Sequence, residues 1–170
     1  MTDAVEGVSE DTEEEGNKEF LTFLLAGEEY GVDILRVQEI KGWDSVTNIP
    51  NTPEYIRGVI NLRGTIVPII DMRLRFNLEA KEYDATTVVI VLNAKSEGNA
   101  DRTMGVVVDA VSDVYNVPME DIKPSPDFGT AVDTEFVTGL ATVGDVMVIV
   151  LDIDHMLNAA ELAVLDKITD

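Results

Sequence analysis

Hydrophobic and polar residues follow each other along this chain in short runs, and the apolar runs are rich in β-branched side chains. Such runs occur at residues 88–92 (VVIVL), 105–108 (GVVV) and 146–150 (VMVIV). Turn segments rich in Gly or Asn separate the runs, a combination that is typical of β-strands. The intervals are mostly too short or too polar for the helices that a parallel α/β fold requires. The pattern therefore predicts an all-β protein.

The apolar pattern occurs twice. Residues 57–76, RGVINLRGTIVPIIDMRLRF, align without a gap with residues 138–157, TGLATVGDVMVIVLDIDHML. Further upstream, residues 30–40 can be aligned with residues 104–114, although less cleanly. An internal repeat of this kind indicates one structural unit used more than once. We therefore expect two small β-barrels.

The repeat units extend over residues 19–76 and 86–157, because each copy begins with an apolar run. We expect them to form one domain over residues 19–157. Whether strands cross from one barrel to the other stays open at this point. Pro68 lies inside a strand segment and has no N–H to donate, so its strand should be an edge strand or carry a bulge there.

Two glycines occupy corresponding positions in the two copies of the repeat. Gly58 aligns with Gly139. A residue without a Cβ atom permits a backbone turn, or a close approach that a larger residue would obstruct. Both glycines are therefore predicted to be structural turn residues.

The two ends of the chain differ from its body. Residues 1–16 contain seven Asp and Glu residues and no basic residue, which predicts an acidic disordered tail over residues 1–18. At the other end, Asn158 can cap a helix in residues 158–170, where apolar residues recur at a spacing of three. This helix either covers a barrel end or binds a partner.

Charge and composition exclude several classes of protein. The formal net charge is −21, which disfavours nucleic acid and anionic membrane surfaces as partners. No apolar stretch approaches the roughly 18 residues of a membrane span, and the N-terminus lacks the features of a secretory signal. The chain has no cysteine, so disulfides and thiolate chemistry are excluded. We expect a soluble, cytoplasmic protein.

The sequence gives little support for catalysis. The single histidine, His155, lies near Asp152, but no second His or Cys completes a transition-metal site. We expect Asp152 to cap a helix instead. Phosphate-binding and nucleophile-elbow motifs are absent, and with 33 carboxylates a chance acid pair carries no weight. We predict no catalytic residue, no metal and no cofactor; a carboxylate enzyme or a metal protein is the remote alternative.

Two charged residues stand out from their surroundings. Glu39 lies between apolar neighbours in residues 37–40, and Arg63 lies in a predicted turn at residues 61–64. They are either solvated or paired with each other, which is worth about 0 to 1 kcal/mol at an exposed surface. Alternatively, they belong to a binding surface. The residues alone leave both interpretations open.

At this point the sequence resembles a known family, the CheW chemotaxis coupling proteins. The resemblance covers about residues 19–166 and is carried by several long segments in the same order. These segments are EEYGVDILRVQEI, NTPEYIRGVINLRGTIVPIIDMR, GVVVDAVSDV and TGLATVGDVMVIVLDI. The resemblance implies an all-β fold of two SH3-like, five-stranded β-barrels around a shared hydrophobic core, with short helices and a C-terminal helix.

The same resemblance implies a non-enzymatic adaptor. Such proteins join the cytoplasmic tips of methyl-accepting chemoreceptors to the regulatory domain of the histidine kinase CheA, and they help to assemble receptor arrays. The implied location is the cytoplasm, at membrane-associated arrays that are often at the cell pole, and the free protein should be a monomer. A CheV-like protein or a regulatory module derived from the kinase is the alternative.

The resemblance also implies two binding surfaces. The receptor-binding groove corresponds to Val37, Glu39, Arg63, Thr87 and Val88. Valines would receive the apolar stripe of a receptor helix, while the charged residues would set its orientation.

The second surface is the loop KPSPDF, in which Lys123, Asp127 and Phe128 correspond to the kinase and array interface. Two prolines stiffen this loop, so Phe128 would lose little freedom on binding. The alternative is that Phe128 folds back onto its own barrel.

Overall fold

The computed structural model describes residues 16–95, 101–124 and 136–157 of the 170-residue chain. In this part, the strands are β1 (Asn17–Leu25), β2 (Glu28–Asp33), β3 (Val37–Gly42), β4 (Ile56–Leu62), β5 (Thr65–Asp71), β6 (Val88–Ala94), β7 (Arg102–Val108), β8 (Ala110–Pro118), β9 (Ile122–Lys123), β10 (Val137–Val143) and β11 (Val146–Leu151). Two short helices are α1 (Met72–Arg75) and α2 (Ile153–Leu157), and 3₁₀ turns cover Ile34–Arg36 and Met119–Asp121. The all-β prediction is confirmed for the described residues.

The strands form two sheets, and each sheet takes strands from both repeat units. One sheet has six strands in the order β8-β1-β2-β11-β10-β9, and the other has five in the order β3-β6-β7-β5-β4. The five-stranded sheet agrees with the predicted barrel. The other sheet has one strand more, because the two-residue β9 pairs with β10.

The exchange of strands follows the internal repeat. In the five-stranded sheet, β5 pairs with β7 in parallel, and Ile69 lies opposite Gly105. In the six-stranded sheet, β11 pairs with β2 in parallel, and Val150 lies opposite Gly31. These residues correspond in the sequence alignment of the two units. The repeated hairpin of each unit therefore completes the sheet that the other unit begins.

Buried apolar side chains form three clusters. The largest takes side chains from both sheets, including Phe23 and Ile90. A second cluster, around Val91, belongs to the five-stranded sheet, and a third, around Val148, belongs to the six-stranded sheet. Two barrel interiors with a shared core between them are thus present. The prediction of two small barrels around a shared core is confirmed.

Gly58 and Gly139 lie in strands β4 and β10 rather than in turns. Each marks a register shift, where β4 meets β5 and where β10 meets β11. A β-carbon on Gly58 would overlap the carbonyl oxygen of Thr47, and one on Gly139 would overlap that of Lys123. The two glycines therefore allow a crossing segment to approach the bulged strand closely.

The expectation for Pro68 was wrong. Its strand, β5, lies between β7 and β4, and the nearby register shift is on β4. Val59, which lies opposite Pro68, exchanges both of its backbone hydrogen bonds with Thr47. The missing N–H of Pro68 therefore faces β7, where the parallel pairing begins only at Ile69. An inner strand tolerates the proline because no ladder bond is required at that position.

The predicted ends fall mostly outside the described residues. Strand β1 begins at Asn17, inside the segment predicted as a tail, and residues 1–15 lie outside the described part. The C-terminal helix predicted for residues 158–170 also lies outside it. The capping role of Asp152 is confirmed, because its Oδ1 accepts the backbone N–H of His155 at 3.0 Å. Among the described residues no helix is long and apolar enough to cross a bilayer.

Candidate functional site

A partly exposed apolar row lies along β3, an edge strand of the five-stranded sheet. Val37 pairs with Leu92, Ile40 with Ile90, and Gly42 with Val88. Residues that lie directly opposite each other place their side chains on the same face of a sheet. The row of Val37, Ile40 and Val88 therefore borders the shared core, to which Ile90 and Leu92 belong. Ile40 is 43% exposed.

A charged pair lies on the opposite face of the same edge. Glu39 pairs in register with Val91, whose side chain fills the barrel interior. The guanidinium Nη2 of Arg63 lies 2.7 Å from the Oε1 atom of Glu39, with side-chain exposures of 70% and 28%. The structure thus shows that the two residues pair, while most of the Arg63 side chain stays exposed. The exposed edge of β3 presents an apolar row on one face and an ion pair on the other.

Arg63 lies in a backbone conformation that rarely suits a side chain. It occupies the two-residue turn between β4 and β5, with φ of 50° at Arg63 and 90° at Gly64. The side chain of Asn61 holds this turn by accepting the N–H of Gly64 at 2.8 Å. In the other copy of the repeat, Gly144 occupies the same place with φ of 62°. Glycine adopts this backbone conformation at a lower energy than arginine does. Backbone strain of this kind is common at functional sites.

A slit separates β3 from β4 in the wall of this barrel. At one end, Thr47 and Val59 exchange two backbone hydrogen bonds of 2.9 Å. At the other end, the Glu39–Arg63 pair bridges β3 to the turn after β4. The slit encloses a pocket of about 280 Å³. Its lining consists of Lys41, Gly42, Trp43, Asp44, Ser45, Val46, Thr47, Val59, Ile60, Asn61, Ile69 and Val89.

Thr87 does not belong to the exposed surface. Its side chain is 5% exposed, and its Oγ1 accepts the N–H of Asp84 at 2.9 Å. Its carbonyl accepts the N–H of Trp43. Hydrogen bonds from Thr86 lower the pKa of Asp84 to about 2, so the loop before β6 is organised around an ionised carboxylate. Thr87 therefore holds the start of β6 in place rather than offering a contact.

The predicted kinase and array surface is described only at its first residue. Lys123 lies in β9, is exposed, and donates from Nζ to the carbonyl oxygen of Glu120 at 3.1 Å. Asp127 and Phe128 lie outside the described residues.

Sequence reasoning missed Ile40 and Lys41. The register of β3 shifts between Val37 and Glu39, so Gln38 is an extra residue. Strict alternation from Val37 would place Glu39 on the apolar face, whereas the bulge places Ile40 there. The sequence VQEIKG carries no sign of the bulge. Only the pairing with β6 reveals which residues share a face.

Comparison with known proteins places this fold and surface in context. Residues 19–161 match the family model described as the CheW-like domain. The chemotaxis protein CheW of Klebsiella aerogenes is 50% identical over 151 residues, which cover 89% of this chain and 88% of that protein. The chemotaxis protein CheW of Rhizobium meliloti is 36% identical over 146 residues, which cover 86% of this chain and 91% of that protein.

A solved structure agrees with these relatives. The scaffolding protein TtCheW from Thermoanaerobacter tengcongensis matches with a TM-score of 0.74 and 35% identity, over 85% of this chain and 90% of that one. The fold and these relatives thus define a two-barrel chemotaxis scaffold. The chain belongs to the CheW family.

Proposed function

We propose that this protein is a non-enzymatic adaptor that couples methyl-accepting chemoreceptors to the histidine kinase CheA. The relatives named CheW match over most of their own length, which favours a coupling protein over a CheV-like or kinase-derived module. The geometric observation that carries the proposal is the edge of β3. There a partly exposed apolar row lies on one face, and an arginine held in a strained turn reaches the other face.

The surface on β3 suits the side of an amphipathic helix. The row of Val37, Ile40 and Val88 would pack against the apolar stripe of a receptor helix. The exposed Arg63 and the half-buried Glu39 would exchange hydrogen bonds with polar groups of that helix and fix its direction. Because β3 is an edge strand, a helix along it can contact both faces.

Reconstitution tests the function itself. Purified CheA should respond to receptor stimulation only when this protein is present with receptor-containing membranes. The measurement is CheA autophosphorylation with and without attractant, with the protein added or omitted. Receptor control that is equally strong without the protein would contradict a coupling role.

Replacement of Arg63 by alanine tests the receptor surface. We expect binding to a soluble cytoplasmic receptor fragment to weaken by about tenfold or more, because a charge-assisted contact near the centre of an interface is lost. The melting temperature should change little, since an exposed ion pair contributes about 0 to 1 kcal/mol. Binding to CheA should also be retained. An equal loss of stability and of both interactions would show that Arg63 is structural.

We propose a separate kinase and array surface at Lys123, Asp127 and Phe128, on the basis of family resemblance. Replacement of Phe128 by serine should leave a folded protein that binds the receptor fragment but assembles arrays poorly. Fluorescence clustering of labelled receptors in cells measures assembly, and the melting temperature controls for folding. Normal clusters with the variant would contradict this assignment.

The proposed location follows from the proposed partners. The protein would act in the cytoplasm and be recruited to membrane-associated receptor arrays, often at a cell pole. The formal charge of −21 agrees with this, because it disfavours direct attraction to anionic lipid. Recruitment would therefore depend on the receptor and the kinase.

A further inference from the structure

Lys41 is a basic residue that has no ion-pair or hydrogen-bond partner among the described residues. It pairs in register with Val89, whose side chain fills the barrel interior, so Lys41 lines the slit between β3 and β4. Within the described part of the chain, every other Lys or Arg interacts with another group, such as a carboxylate, a carbonyl oxygen or an aromatic ring. Lys41 is half-buried as a residue, and the absence of a counter-ion among the described residues stands out in a protein with a net charge of −21.

The pocket around Lys41 is lined by apolar side chains and by a larger share of polar groups. Trp43, Val59, Ile69 and Val89 contribute apolar surface. Asp44 also lines the pocket, but its Oδ1 accepts the N–H of Ser45 at 2.7 Å. Such a site suits a short aliphatic stem that ends in a carboxylate. The volume, about 280 Å³, lies just below that of pockets for free ligands, which span roughly 300–1,000 Å³.

One wall of the pocket is held in place from behind. Trp43 packs edge-to-face on Tyr83, with ring centroids 4.5 Å apart. Tyr83 donates to the Oδ2 atom of the buried Asp71 at 2.5 Å. Burial, followed by this bond to Asp71, raises the pKa of Tyr83 above its ordinary value, so the phenol remains a donor at neutral pH. The wall is therefore formed before any partner binds.

We propose that this slit receives an acidic side chain from the receptor helix and that Lys41 is its counter-ion. The inference rests on the proposed receptor surface, because the slit adjoins it. Glu39 and Lys41 alternate along β3 on the same face, and the Glu39–Arg63 pair closes one end of the slit. A helix that touches the apolar row and Arg63 would thus place a glutamate or aspartate within reach of Lys41. The contact would select receptors that carry this carboxylate.

Binding of a soluble receptor fragment to the full-length protein tests the inference. We expect Lys41→Gln to weaken binding about tenfold and to reduce its salt dependence, since a charge-assisted contact is lost. Lys41→Arg should bind within about threefold of the wild type, because the charge is kept. Lys18→Gln is the matched control: it removes one positive charge from β1, in the other sheet, and should bind like the wild type. Melting temperatures should be close in all four proteins.

An amide scan of the receptor fragment identifies the acidic partner. Each Asp or Glu of the fragment is replaced in turn by Asn or Gln, and binding is measured against the wild type and Lys41→Gln. We expect one replacement that weakens binding to the wild type but not to Lys41→Gln. If Lys41→Gln binds with wild-type affinity and salt dependence while Arg63→Ala loses binding, the proposed role of Lys41 is wrong but the receptor surface stands. If Arg63→Ala also binds normally, the receptor surface itself is wrong.

Discussion

Replacement of Gly58 by alanine is expected to destabilise the protein by about 2 to 5 kcal/mol, from steric overlap and an unfavourable backbone conformation combined. The new β-carbon would overlap the carbonyl group of Thr47, and φ at Gly58 is 144°, where side chains are rare. Thr47 cannot move away cheaply, because it exchanges two hydrogen bonds with Val59. Urea unfolding at constant pH measures the loss.

Two other glycines provide matched comparisons for Gly58. Gly139→Ala should be similarly damaging, because its β-carbon would overlap the carbonyl of Lys123 at the corresponding bulge. Gly42→Ala should have a much smaller effect, since nothing lies within 4 Å of its added carbon. If Gly58→Ala is no more destabilising than Gly42→Ala, the close backbone approach is not a requirement of the fold.

These glycines illustrate how far the sequence could predict the fold. The repeat placed Gly58 and Gly139 at corresponding positions and indicated that both were structural. It could not show which backbone approaches them, because the approaching residues, Thr47 and Lys123, have little local resemblance to each other. Repeated strands were readable from apolar periodicity, whereas the crossing segments that close each barrel were not.

The candidate site was predictable in part. Arg63 stood out because a cation in a turn is conspicuous in an acidic chain, and the structure places it against Glu39. The position of Ile40 on the apolar face could not be predicted, because it depends on the bulge in β3. Lys41 could not be singled out either, because its place in the slit depends on β4, to which Val59 belongs. Bulges and inter-strand gaps depend on contacts distant in sequence, so local patterns carry little information about them.

A pair of ion bridges across the two barrels was equally hidden. Arg73 in α1 binds Asp109, in the turn between β7 and β8. At the corresponding position of α2, Asp154 binds Arg36, in the turn between β2 and β3. The two bridges join the repeat units at equivalent places with opposite polarity. The first repeat unit supplies both arginines, and the second supplies both aspartates. Two copies of the same unit would therefore place like charges against each other, so the charges favour pairing of the first unit with the second.

The more buried bridge should have the larger effect on stability. Arg73 and Asp109 are each only 16% exposed, and Arg73 donates from Nε and Nη2 to the carboxylate at 2.7 to 3.1 Å. Replacement of Asp109 by alanine should cost about 3 to 5 kcal/mol, because it leaves a largely buried guanidinium without its partner. Lys18→Ala breaks the more exposed pair with Asp33 and should cost about 1 kcal/mol or less.

Two measurements show whether Asp109→Ala loses stability because it leaves Arg73 as an unpaired charge or because it loses packing. Burial alone would raise the pKa of Asp109, but hydrogen bonds from Arg73 and Ala26 and the charge of Arg73 lower it below its ordinary value. A lowered folded-state pKa adds stability above the unfolded value of about 3.9, and this stability is lost as the pH falls through the folded-state pKa. The difference in unfolding free energy between the wild type and Asp109→Ala should therefore be largest near neutral pH and become smaller in acid.

Replacing both partners, in Arg73→Met with Asp109→Leu, should cost less stability than Asp109→Ala alone, because no buried charge remains. Two results together would mean that these side chains matter for their packing and not for their charge. The double variant would be less stable than Asp109→Ala, and the difference in unfolding free energy between the wild type and Asp109→Ala would stay constant from pH 7 to pH 3.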